Sequence, residues 1–435
     1  DASTAGAGAA GNVTLQGNAF GDNGGSDLND LAGLTATGAT VSLQDVEING
    51  VNTAMGIQVT GTTGITLDGA YMVLTAAGAD DGIVFNGPVT LATNTTVSSA
   101  TLNNDVITFN GTVNSAASAG RTLNVLNGSA VAFNDAIGAA ANGALGSLTV
   151  NNGAEIGTIS LADIGGAAAG VTGATAVGNA ATAAINFNGT TYNANQQTYT
   201  AVAGNNLVMN GGAPTTFTST ADAVAFNTAT VSLANGSNLA VNTAGGAISA
   251  LAGIVGTSDE TVTLDAGAST VAVGQIGTST VALDIGTVTI TGNAGVTLGG
   301  NISTNNADVS ITGPVTLGAN IVIDTIESNT DGDVSFSSTI DADLAANNRT
   351  LAINVSGPTA VTFGGSIGAT QALADLDVSG TTINLNGASV VVDAGAGGAT
   401  ATFTGAVVLG NNVTIDTDGT NDNNVTFTST INADD

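Results

Sequence analysis

Phe85, Phe109 and Phe133 lie 24 residues apart, and each is followed by Asn and then by Gly or Asp. A fixed period of this length means that one short structural unit recurs, and that each unit buries its apolar side chains against its neighbours. The unit reads apolar–x–apolar–x–Gly–x–Val/Ile, in which the alternation marks a strand and the glycine a corner. Its central apolar position reads as Leu15, Ile48, Leu67, Phe85, Phe109, Phe133, Val150, Phe187, Met209, Leu233, Leu264, Ile290, Ile311, Phe336, Phe363, Leu385, Phe403 and Phe427. The mean step is about 24 residues. The stretch 151–185 and the region near 250 fit poorly, as loop insertions between coils would produce.

This pattern predicts an all-β, elongated parallel β-solenoid (a β-helix) with coils of about 24 residues. Coils would stack at strand spacing, ~4.8 Å, so eighteen of them would form a rod of roughly 80–90 Å. Inward Val, Ile, Leu and Phe would form columns, Asn and Thr polar ladders, and Gly and Asn the positive-φ corners. The alternative is tandem β-sandwich domains, which turn signals every 8–12 residues also allow.

Composition supports thin β-layers over a single globular interior. Aromatic residues make up only 3% of the 435-residue chain, while apolar residues reach 43%, too many for a disordered chain. A higher-order repeat lies over the coils. ITGPVTLGANIVIDT (311–325) matches FTGAVVLGNNVTIDT (403–417) at 9 of 15 positions, and VSFSSTIDAD (334–343) matches VTFTSTINAD (425–434). FNGPVTL (85–91) is a third copy, and both arginines open related segments, RTLNV (121–125) and RTLAI (349–353). The organisation read from these matches is 1–84, amino-terminal coils; 85–150, a first clear super-repeat; 151–310, divergent coils with insertions; 311–402, a super-repeat; and 403–435, a truncated one. The chain starts at Asp1 without Met or a signal peptide, which suggests processing or a piece of a larger protein.

The net charge of −31 arises because basic residues are nearly missing: Arg121 and Arg349 are the only two. Carboxylate repulsion must therefore be relieved by solvent, salt or bound cations. Nucleic acid and anionic membrane surfaces are excluded as partners, because nothing neutralises their phosphates. No 18-residue apolar run offers membrane insertion. Two arginines and no lysine leave almost no trypsin sites.

Catalysis finds little support. Without Cys, His or Lys there is no nucleophile–base pair, and the carboxylate pairs Asp80–Asp81 and Asp259–Glu260 read as loop residues. The expectation is that the chain is not an enzyme. Calcium is the better chemical reading. DTDGTNDNN (416–424) sets Asp416, Asp418, Asn421 and Asp422 around a glycine, and the corresponding loop DTIESNTDGD (324–333) offers Asp324, Glu327, Asp331 and Asp333. Turn chemistry alone explains the same residues.

Through GPVTLGAN…VSF…TIDAD…RTL…VTFGGSIG the chain resembles the very large β-strand-repeat surface proteins of bacteria, which are similar to filamentous-haemagglutinin-type exoproteins. That resemblance is strongest at 85–150 and 311–435 and implies a secreted, non-enzymatic β-helical fibre at the cell surface. The chain departs from it in its lack of basic residues and of an amino-terminal secretion domain. Two functions follow. One is a structural segment of an extracellular filament, sheath or surface layer that self-associates head to tail. The other is an adhesin stalk presenting a ligand-binding surface. Tyr71, Tyr192 and Tyr199 give such a surface little to work with, and the Thr-x-Thr runs are short for an ice-binding face.

Overall fold

A computed structural model describes residues 11–15, 34–48, 56–69, 71–74, 82–99, 106–151, 153, 156–278, 285–326, 331–347, 349–393, 400–417 and 424–434. Among them there is no α-helix, only a 3-10 turn at Ala345–Asn347, and parallel strands stack as a β-solenoid of about 15 turns, about 24 residues apart. All of the described strand pairings are parallel, which rules out tandem antiparallel sandwiches. The chain divides into two compact units, one made of Asp1–Gly211, Thr215–Ala223 and Asn227–Ala229, the other of Gly212–Pro214, Val224–Phe226 and Thr230–Asp435.

In the first unit a coil consists of three short strands, each paired with its counterpart one coil away. Strands Ile83–Asn86, Val106–Phe109, Ala130–Phe133, Thr158–Leu161, Ala184–Phe187 and Asn206–Met209 build the first stack. Val89–Leu91 and Val113–Ser115 belong to the second, and Thr95–Ser98, Thr122–Leu126, Ser147–Val150 and Thr175–Val177 to the third. Strands of three to five residues form here because β-branched and apolar residues alternate with polar ones, so one side of each strand faces inward. The column through the first stack is Val59, Phe85, Phe109, Phe133, Leu161, Phe187 and Met209. Its rings stack: Phe85 and Phe109 lie 5.0 Å apart, and Phe109 and Phe133 lie 4.8 Å apart and parallel to within 1°.

That column corrects part of the sequence reading. Val150 pairs with Val125 and Val177 in the third stack. Leu67 pairs with Leu43 and Leu91, and Ile48 with Leu74. The eighteen markers thus fall on different sides of the coil, which is why they outnumber the turns. The poorly fitting stretch 151–185 keeps its register, with Leu161 following Phe133 after a longer coil.

The second unit repeats the plan. Its first stack holds Glu260–Asp265, Ile285–Thr291, Val309–Thr312, Val334–Phe336 and Ala360–Phe363. Its second holds Ile248–Ala250, Thr270–Val273, Gly295–Leu298, Val315–Leu317 and Ile340–Ala342. Its third holds Ile302–Ser303, Ile321–Asp324 and Thr350–Asn354. The long strands Asp375–Leu385 and Thr400–Leu409 run through a corner and serve the third stack with their first half and the first stack with their second. Ile311 therefore shares a column with Phe336, Phe363, Leu385 and Leu409, whereas Phe403 stacks between Val378 and Phe427. The two copies of the 92-residue repeat sit on different corners.

Candidate functional site

The polar chemistry of this chain lies at the coil corners, where each strand ends and its backbone turns. Glycine is required where corners of successive coils touch. A side chain on Gly87, at φ +137°, would meet the Gly61 carbonyl oxygen at 2.0 Å, and one on Gly405, at φ +142°, would meet that of Gly380 at 1.8 Å. Beside the Gly87 corner runs an exposed amide ladder. Asn110 Nδ2 donates to Asn86 Oδ1 at 2.7 Å, and Asn134 Nδ2 donates to Asn110 Oδ1 at 2.7 Å.

Several described corner carboxylates accept backbone N–H groups of the next coil. Asp163 Oδ1 accepts from the amides of Thr190 and Thr191 at 2.7 and 2.9 Å. Asp308 Oδ1 accepts from Asp333 N at 2.9 Å, and Asp333 Oδ1 in turn accepts from Ala360 N at 2.8 Å. Asp341 Oδ1 accepts from Thr370 N and Gln371 N, and Asp375 Oδ1 from Thr400 N. Asn94, Asn114, Asn301 and Asn320 do the same with their side-chain oxygens. These clips satisfy strand-start donors that the turn leaves without a carbonyl. Sequence reasoning missed them as a class. The available signal was an Asp or Asn standing about one coil ahead of a strand start.

Of the residues read as calcium ligands, Glu327, Asp418, Asn421 and Asp422 lie outside the described residues. Asp324 Oδ1 accepts the Ile326 amide at 2.9 Å, a local turn, and Asp333 is one of the clips. Asp416 ends strand Thr414–Asp416, and its carbonyl accepts the Val392 amide. Asp331 differs. It is 8% exposed, its Oδ2 accepts the Ser356 amide, and its buried Oδ1 has no hydrogen-bond partner. Among the described residues no three acidic side chains converge as a metal-ligand cluster.

The carboxylate pairs are also accounted for. Asp80 and Asp81 lie outside the described residues. Glu260 is 1% exposed in a nest of donors: Oε2 accepts the amides of Thr257 and Ser258 at 2.7 and 2.8 Å, and Oε1 accepts Gly236 N at 3.2 Å. Burial pushes its carboxyl upward, but these bonds outweigh it and hold the pKa below its ordinary value. Asp259 instead accepts from the Asn305 side chain. Asp377 is the opposite case, raised by partial burial and by the neighbouring Asp375.

The arginines share a position but not a partner. Arg349 donates to both oxygens of Asp343 at 2.9 and 2.8 Å, and this bond holds the Asp343 carboxyl well below the usual carboxylate range. Six residues before Arg121 stands Ser115, whose hydroxyl accepts the Arg121 backbone amide, and Arg121 Nε is buried without a partner.

Tyr192 and Tyr199 are fully buried against Phe187 and Phe217, with ring centroids 4.8–5.6 Å apart, and form core rather than a ligand face. Burial pushes both phenols far above their ordinary pKa. A recess lined by Phe363, Ile367, Leu385 and Val390 has no interior room for a water molecule. No protein-family model, no curated protein and no solved structure matches this chain.

Proposed function

We propose that this chain is a structural segment of an extracellular filament, sheath or surface layer, built by stacking β-coils end to end. One observation carries the reading: within each unit the described strands pair in parallel with their counterparts one coil away, and inward columns such as Phe85, Phe109 and Phe133 run unbroken from coil to coil. A stack of this kind grows by adding a coil to an open strand edge, whether the next coil comes from the same chain or from a second copy. The extracellular placement rests on the resemblance to bacterial surface repeats.

Electron microscopy of the purified chain tests this. Filaments with an axial repeat of ~4.8 Å are expected. Isolated particles in the wild type would sink self-stacking and make the adhesin-segment reading the leading one.

A further inference from the structure

Asp331, just ahead of strand Val334–Phe336, carries a group that the clips do not explain. Asp331 is more than nine-tenths buried, yet only one of its oxygens is used, by the Ser356 amide. The other is buried without a partner. A buried ionised oxygen is costly unless a hydrogen bond, a proton or a cation meets it. Elsewhere this chain shows how it solves the problem: Glu260 is also buried, and both its oxygens are met by donors. No side-chain cation bonds to that oxygen: the chain has no lysine, and Arg349 is held bidentately by Asp343.

We propose that the free oxygen of Asp331 is a direct ligand of a divalent cation, calcium by the preference of that ion for hard carboxylate oxygen. With no cluster of three carboxylates among the described residues, carbonyl and water oxygens complete the shell. Such a site belongs with the weak extracellular calcium sites, whose Kd is about 0.1–1 mM. The proposal is independent of the filament reading, because it concerns one corner inside one unit.

The test compares the wild-type chain, Asp331→Asn and Asp265→Asn by thermal unfolding. Each is melted in chelator and in about 10 mM calcium, with sodium chloride matching the ionic strength. Asparagine keeps an oxygen for the Ser356 amide and removes the charge. The expected result has two parts. In chelator, Asp331→Asn melts above the wild type, because a buried unpaired charge is gone. In calcium, the wild type and Asp265→Asn gain stability and Asp331→Asn gains markedly less. A variant that melts below the wild type in chelator would show that the oxygen accepts a hydrogen bond instead. That result, an undiminished calcium gain in Asp331→Asn, or no gain in the wild type would each overturn the proposal.

Discussion

At the scale of single residues, carboxylates in this chain do two opposite things, and pH separates them. Glu260 has a folded pKa below its ordinary value, so its contribution is complete above the unfolded pKa and is lost as pH falls through the folded one. Glu260→Ala should cost about 2–3 kcal/mol at pH 7, because three backbone amides lose a charged acceptor, and the difference should shrink in acid. Urea unfolding at both pH values checks this; an equal loss at each would refute the role of the charge. Asp377 is raised, so any favourable contribution is present below its unfolded pKa and disappears as pH rises through the folded one. Asp377→Asn should therefore stabilise the protein slightly at neutral pH and not in acid, an effect kept small because the side chain stays exposed. A destabilised variant at neutral pH would contradict it. None of this was readable from composition. The sequence shows 29 aspartates but not which of them hold an amide one coil away, since that pairing depends on where the corner falls.

At the scale of the strand and coil, stability comes from columns and corners. Phe109→Ala removes a ring stacked between Phe85 and Phe133 and should cost about 3–5 kcal/mol by chemical denaturation. Gly87→Ala should be comparably harmful although it adds only a methyl, since the added carbon would press on the Gly61 carbonyl at a backbone angle that alanine rarely adopts. Near-wild-type stability in Gly87→Ala would mean that this corner can open. The period of the coil was legible from Phe85, Phe109 and Phe133, because one column keeps its register through three turns. The side of the coil was not legible. Val150 and Leu67 carry the same alternation as the phenylalanines, and only the hydrogen-bond ladder assigns them to other stacks. In the candidate ligand segment 324–333 the sequence could not separate the clip Asp333 from the buried Asp331 two residues away.

For the whole molecule, a charge of −31 with two arginines makes self-repulsion a term that every condition changes. The melting temperature should rise as sodium chloride increases from about 10 mM to about 500 mM, over which the Debye length falls from about 30 Å to a few ångströms. A flat profile would mean that the clips already neutralise the field locally. The arginines also give a sensitive report on unfolding. Trypsin can cut only after Arg121 and Arg349, and in the folded chain both carbonyls accept amides from the neighbouring coil. Native protein should resist the enzyme, and unfolded protein should yield three fragments.

The segments ITGPVTL and FTGAVVL, 92 residues apart, turn different corners of the same unit, each around a positive-φ glycine, Gly313 and Gly405. A gene segment of this kind can thus be duplicated or lost without spanning a whole number of turns. The reading of the thread simply advances to the next side, and the core stays filled. Unequal recombination then changes two things at once: the length of the molecule, and which outward residues lie along each side. A lineage carrying such a gene could vary the face shown to its surroundings while leaving the packing rules untouched.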